Sequence, residues 1–256
     1  MLSLKSHHEL EAMRMAGYLS AKTLELAGKS LRPGMTTKEL DTILHDYIVS
    51  KGAKPSFLGY GGFPGCACIS INNEVIHGIP GKRVIEEGDI VSVDVGAYID
   101  GFHGDNAKTF IVGEADQSVK DFVKTVEQSL YEGIKMARKG NRIGDISHAV
   151  QTYAEERGYG VVRKFVGHGV GRKLHEDPEV PNFGPAGRGV RLLPGMTIAI
   201  EPMINMGSAN IKVLPDGWTV ETVDKSLSAH FEHTVAITDG DPIILTSPTE
   251  EGLHGA

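Results

Sequence analysis

Cysteine is scarce: the 256 residues hold two, Cys66 and Cys68, one residue apart. On a strand that spacing sets both on one face, and so short a loop is poor disulfide geometry. A disulfide-stapled secreted fold is disfavoured, and no second cysteine pair exists to build a cysteine zinc site. The two read as small apolar fillers in a reducing compartment. Long apolar runs are lacking too. Residues 1–10 carry Lys5, His7, His8 and Glu9 where a signal peptide would be apolar, and nothing approaches the roughly 20 apolar residues of a membrane helix. Positive charge is in deficit, with a net charge of −7, whereas neutralising phosphates needs a basic surface. The expectation is a cytoplasmic protein that engages neither membrane nor nucleic acid. His-Glu-x-x-His, Gly-x-Ser-x-Gly and Walker A motifs are also absent, which disfavours zincin, serine-hydrolase and P-loop chemistry.

What is present is an ordinary globular composition, 40% apolar and 23% charged, arranged in a succession that occurs twice. Leu10, Met13, Gly17 and Leu24 predict a helix over 6–31, ended at Arg32-Pro33-Gly34, and Thr37 is expected to cap a second helix running to about residue 50. A Gly-rich loop over 59–65 leads to a short strand through Ile69 and Ile71. Residues 90–98 and 102–112 predict two strands joined at Asp100-Gly101, a hairpin signal. Helices over 116–138 and 144–157, Gly-rich chain, and strands near 197–204 and 231–238 repeat the order. Gly34, Leu40, Tyr47 and Gly52 line up with Gly140, Ile146, Tyr153 and Gly158 at an offset of about 106 residues. Gly88 and Asp94 line up with Gly195 and Glu201. The fold class expected is α+β: one domain, 1–256, of two similar α/β halves, about 1–115 and 116–250. A pseudo-twofold relates the halves, with helices covering a curved antiparallel sheet. The tail after Pro248, with Glu250, Glu251, Gly252 and Gly255, is expected to be loosely ordered.

This symmetry gives four acids a shared destination. Asp94 and Glu201 fall at equivalent points on equivalent strands, and Asp105 and Glu232 begin the two return strands. A turn at Asp100-Gly101 sets Gly96 opposite Asp105, so Asp94 and Asp105 become diagonal neighbours about 7–8 Å apart at the backbone. Asp94 follows Ile90-Val91-Ser92-Val93 and Glu201 follows Thr197-Ile198-Ala199-Ile200, both of which read as buried strand. A carboxylate there is costly unless paired or metal-bound. Nearby bases are few: Lys108 for Asp105 and Lys212 for Glu201. Four acids at matched positions point to divalent cations, two of which would cancel the charge. His168, within Gly167-His168-Gly169-Val170-Gly171, offers a nitrogen where glycines let backbone approach closely, although alone it reads as a loop histidine. The glycine string is no dinucleotide loop, because Pro178 and Pro181 follow where a long helix should begin. Carboxylates with one imidazole suit manganese, iron or cobalt, with zinc also able to bind.

Asp94, Asp105, His168, Glu201 and Glu232, in that order, resemble the ligand set of the pita-bread metallopeptidases, peptidase family M24. Val93-Asp94-Val95-Gly96, Gly104-Asp105, Gly167–Gly171, Glu201-Pro202 and Phe231-Glu232-His233-Thr234 are similar to motifs of the methionine aminopeptidases. So are Asn73-Glu74-Val75-Ile76-His77-Gly78-Ile79-Pro80 and His175-Glu176-Asp177-Pro178. The similarity spans nearly the whole chain, and length and a short N-terminus resemble the compact bacterial type I form.

The resemblance implies two divalent metal ions per chain. Asp94 would hold one, His168 and Glu201 the other, with Asp105 and Glu232 shared. Glu201 would also act as general base and acid, while His77 and His175 would contact the scissile peptide. A methionine pocket would comprise Tyr60, Phe63, Cys68 and Trp218, with Phe57 and Leu174 at its edges where the family more often has Cys and Phe. The implied reaction removes the initiator methionine from nascent polypeptide N-termini when the second residue is small. The implied setting is cytoplasmic and monomeric, near the ribosome surface, for which the chain shows no motif. Alternatives are a proline-directed peptidase of the same fold, against which the absence of a large N-terminal domain counts, and a non-catalytic binding protein, against which the full ligand set counts.

Overall fold

The structure is a computed structural model that describes residues 2–249; the expectation for Glu250, Glu251, Gly252 and Gly255 lies outside the described residues. Helices α1 (His7–Ser30) and α2 (Thr37–Ser50) lead into β1 (Lys54–Pro55), a single 3-10 turn (Tyr60–Gly62), β2 (Ala67–Ile71) and β3 (Glu74–Ile76). The long hairpin β4 (Ile90–Ile99) and β5 (Phe102–Ile111) completes the first half. The second half comprises α3 (Gln117–Lys135), α4 (Ile143–Glu155), β6 (Gly160–Val161), β7 (Gly167–Gly169), β8 (Glu176–Val180) and β9 (Thr197–Ile200). It continues through β10 (Met203–Asn205), β11 (Ile211–Val213), β12 (Val220–Thr222), β13 (Ser228–His230), β14 (Glu232–Ala236) and β15 (Ile243–Ile244).

Local chemistry sets these limits. Ser6 caps α1 through a reciprocal box: Glu9 N–H donates to Ser6 Oγ, and Ser6 N–H donates to Glu9 Oε2 at 2.9 Å. The cap of α2 is Thr36, one residue earlier than expected. Thr36 and Glu39 have the box spacing, whereas Thr37 is the first helical residue and gives its hydroxyl to the Gly81 carbonyl. In the hairpin, Asp100 and Gly101 take positive φ of 52° and 85°, the two-residue turn whose twist suits antiparallel strands. Gly96 then faces Asp105, and Asp94 faces Ala107, the expected register.

One antiparallel sheet runs β1-β4-β5-β14-β9-β7-β8, with β2 also on β4 and β15 on β14. The order reads alike outward from the β5–β14 seam, as the pseudo-twofold requires: β4 and β2 on one side match β9 and β7 on the other. Each half buries its own core. Leu40, Leu44, Ile48, Ile69 and Val91 pack together in the first, and Phe122, Leu130, Ile146, Ile198 and Ile200 in the second.

Two strand expectations need correction. The strand near 197–204 is two strands, because Pro202 has no N–H to continue the ladder, and β10 leaves for a second sheet with β13 and β6. The strand near 231–238 is β14, and β13 is a separate strand that precedes it across Phe231. Asp105 is the fourth residue of β5 and does not begin it.

Helix α1 lies on the sheet at Gly104, where a Cβ would collide with the backbone of Ala16 and Gly17. Gly104→Ala should therefore destabilise the protein by about 1–3 kcal/mol through overpacking. Urea unfolding should show a lower midpoint with unchanged slope; an unchanged midpoint would mean α1 yields without cost.

Candidate metal centre and adjoining pocket

Four acids converge across the seam. Asp94 comes from the middle of β4, Asp105 from β5, Glu232 from the start of β14, and Glu201 from the residue after β9, where the chain breaks at Pro202. Asp105 and Glu232 are 3% and 2% exposed. The bases that could have paired with them do not: Lys108 Nζ goes to Glu127 at 3.2 Å and Lys212 Nζ to Glu221 at 2.9 Å. Among the described residues only histidines approach this cluster. Asp94 Oδ1, Asp105 Oδ1 and Glu232 Oε1 are buried with no hydrogen-bond partner.

Burial raises the pKa of all four carboxyls, and their mutual repulsion adds to it: Asp105 and Glu201 act on Asp94, Asp105 acts on Glu201, and Asp105, Glu201 and Asp94 act on Glu232. Burial also raises the Cys68 thiol, with Asp94 directly opposite on β4, so it is a neutral wall group; both cysteines are free.

His168 supplies the nitrogen. It is 9% exposed and stands on β7, a strand and not the loop expected; Gly167 and Gly169 allow close approach of β9 and β8 to its backbone rather than of a ligand. Its Nδ1 lies 2.8 Å from the Gly169 carbonyl, which can only accept, so Nδ1 carries the proton. Nε2 is then a bare lone pair, 3.8 Å from Asp105 Oδ2 and 3.5 Å from Glu201 Oε1. Burial lowers its pKa to about 3, with His175 adding to the shift. A lone pair facing carboxylate oxygens repels them unless a cation lies between. Ligand atoms of Asp105, His168 and Glu232 fall within 4.8 Å of one another. Oxygen-rich donors with one imidazole fit manganese, iron or cobalt.

The acids line one side of a cavity of about 260 Å³. All the expected pocket residues line it: Tyr60, Phe63, Cys68 and Trp218, with Phe57 and Leu174. Phe63 and Trp218 meet edge to face, ring centres 5.2 Å apart. His77, just after β3 in the left-handed region (φ 57°), meets the rings of Phe165 and Trp218 in T-shaped contacts. Burial lowers its pKa to about 4. His175 stands at the open rim, its ring centre 4.1 Å from that of His168 and its Nδ1 2.8 Å from Tyr60 Oη. Every candidate residue thus meets in one place.

Sequence reasoning missed Ile76, Phe165 and Val166 in the lining, and His230 behind it. His230 is 1% exposed, with Nε2 unpartnered and 3.7 Å from Glu201 Oε2. It lies two residues before Glu232 in sequence but on β13, across the break at Phe231.

The chain matches metallopeptidase family M24 over residues 11–239. It belongs to that family. A methionine aminopeptidase of Clostridium perfringens is 52% identical over 246 residues, 96% of this chain and 99% of that one. A methionine aminopeptidase crystal structure from Thermotoga maritima superposes with a TM-score of 0.95 at 47% identity, covering 96% of this chain and 100% of that one. A Pyrococcus horikoshii prolidase gives a TM-score of 0.78 at 24% identity, over 96% of this chain and 64% of that one, and so shares the fold. The architecture is the pita-bread fold of M24 enzymes, a family that uses divalent metal ions.

The raised carboxyl pKa values set a pH dependence. With folded values above unfolded ones, the folded state holds more protons, so stability falls as pH rises from the unfolded toward the folded pKa values. Histidines with lowered values are neutral in both states above about pH 7.5 and do not oppose this. Chelator-stripped protein should therefore lose more stability than manganese-loaded protein as pH rises above about 7.5. Parallel urea titrations check this; equal losses in both forms would contradict it.

Proposed function

We propose that this protein is a methionine aminopeptidase, a metal-dependent exopeptidase that removes N-terminal methionine from nascent polypeptides whose second residue is small. The observation that carries the reading is an acid-rich, histidine-bearing cluster that lines the same cavity as an apolar, largely aromatic wall. An apolar, polarizable wall of Phe63, Trp218 and Cys68 favours a sulfur-containing side chain. His77 and His175 flank the space between pocket and acids, where a scissile peptide would lie.

Asp94, Asp105, His168, Glu201 and Glu232 would hold two divalent ions, with Asp105 and Glu232 shared. When bound, such ions lower the pKa of water and polarise a carbonyl. Glu201 takes the proton of the attacking water at a carboxylate oxygen and delivers it to the departing amine. Its place at the chain break after β9, with Asn182 Nδ2 on its carbonyl at 2.9 Å, supports a fixed orientation. His77, held neutral by burial, and His175 at the rim donate hydrogen bonds to the substrate carbonyl and the developing oxyanion. The Tyr60 hydroxyl orients the His175 ring. One catalytic domain, residues 1–256, acts as a cytoplasmic monomer, with contact to the ribosome surface part of the same proposal; among the described residues no helix is long and apolar enough to cross a membrane.

Chelator-stripped protein should release no methionine from Met-Ala-Ser, and manganese or cobalt should restore release. His77→Ala should then lower kcat by about 100-fold or more. Cleavage of X-Pro dipeptides in place of Met-Ala-Ser would overturn the substrate assignment. Absence of any cleavage by folded, metal-loaded protein would overturn the enzymatic one.

A further inference from the structure

Asp105 and Glu232 belong to different halves of the chain, so their separation is set by the β5–β14 seam. That seam is short. Only two residue pairs, Glu232–Ala107 and His233–Asn106, are in ladder register. At each end the backbone bonds stop and a threonine hydroxyl takes their place. Thr234 Oγ1 accepts from Asp105 N–H at 3.1 Å and donates to the Asp105 carbonyl at 2.8 Å. Thr109 Oγ1 accepts from His230 N–H at 2.9 Å and donates to the His230 carbonyl at 2.9 Å. Asp105 to Thr109 and His230 to Thr234 are both four-residue steps, so the pseudo-twofold exchanges the two clasps.

The clasps are needed because the strands diverge there. Beyond Asp105, β14 turns to the chain that follows it: Leu245 N–H donates to the Thr234 carbonyl at 2.8 Å, and Thr234 N–H donates to Thr246 Oγ1 at 3.2 Å. Beyond His230, β13 pairs with β10. Without a bridging hydroxyl, the N–H and carbonyl of Asp105 and of His230 would be buried without partners at these forks. Both threonines are themselves buried, at 2% for Thr109 and 0% for Thr234, and Ser92 Oγ, 2.8 Å from Thr109 Oγ1, donates to it because the Thr109 proton is committed to His230.

We propose that Thr109 and Thr234 are positioning residues of the metal centre, two symmetric hydroxyl clasps that fix the spacing of Asp105 and Glu232 across the seam. Thr234 grips Asp105 itself. Thr109 grips His230, which backs Glu201 and lies two residues from Glu232. This rests on the reading of Asp105 and Glu232 as cation ligands. A Ser keeps the clasp and a Val removes it at nearly constant volume, so hydroxyl and packing roles separate.

The test is titration of stripped wild-type protein and the Thr234→Val, Thr234→Ser, Thr109→Val and Asp105→Asn variants with cobalt(II). Calorimetry gives affinity, and the visible absorption of the bound ion reports its coordination. Thr234→Val and Thr109→Val should each weaken cobalt binding about tenfold or more, the scale for groups that orient ligands, and alter the spectrum. Thr234→Ser should restore both. Wild-type affinity and spectrum in a folded Val variant would overturn the proposal, as would a Ser variant as weak as Val. If one Val variant does not fold, the other decides; if neither folds, the clasps serve stability and the proposal falls. Asp105→Asn tests the underlying reading separately, since unchanged cobalt binding there would remove the metal centre itself.

Discussion

Four carboxyl groups and a bare imidazole nitrogen share one buried spot, and the remainder of the fold makes sense as the means of holding them there. At an effective dielectric near 20, two like charges about 4 Å apart repel by roughly 4 kcal/mol, a sizeable part of the 5–15 kcal/mol that stabilises a typical domain. Among the described residues nothing offsets this, since Lys108 and Lys212 are engaged elsewhere and the neighbouring histidines are held neutral by burial. Protons or cations must. A structure that keeps such a cluster, with three carboxylate oxygens lacking any partner, is built for a cation.

The pseudo-twofold explains how a single chain assembles this cluster. Each half has its own core and its own curved antiparallel ladder, and each sends two acids to the seam. Symmetry then breaks where chemistry differs. Cys68 on β2 faces the acids from the first half as a neutral wall, and His168 on β7 faces them from the second with a bare ring nitrogen. The apolar wall and the histidines at the mouth line the same cavity as the acids.

Much of this was legible in the sequence because it is encoded in short range. Asp100-Gly101 sets the hairpin register, and with it the pairing of Gly96 with Asp105 and the diagonal placement of Asp94. The motifs around His77, His168 and His175 identified the family that the comparisons show. Less legible were features that depend on a distant partner. Thr36 and Thr37 are adjacent candidates for one cap, and the Glu39 spacing chooses between them. Gly167 and Gly169 read as a loop, yet their bare backbones are what lets β7 sit tightly between β8 and β9. Pro202 hid a strand break inside an apolar run, and that break is what releases Glu201 from the ladder. His230, Phe165 and Val166 join the site only through tertiary packing.

The central claim, that the acid cluster is a shared cation site, is tested most directly by anomalous diffraction at the manganese edge from crystals loaded with manganese. The account predicts two peaks, each beside both Asp105 and Glu232, with Asp94 next to one and His168 and Glu201 next to the other. No peak among these side chains, in protein that still releases methionine, would contradict it.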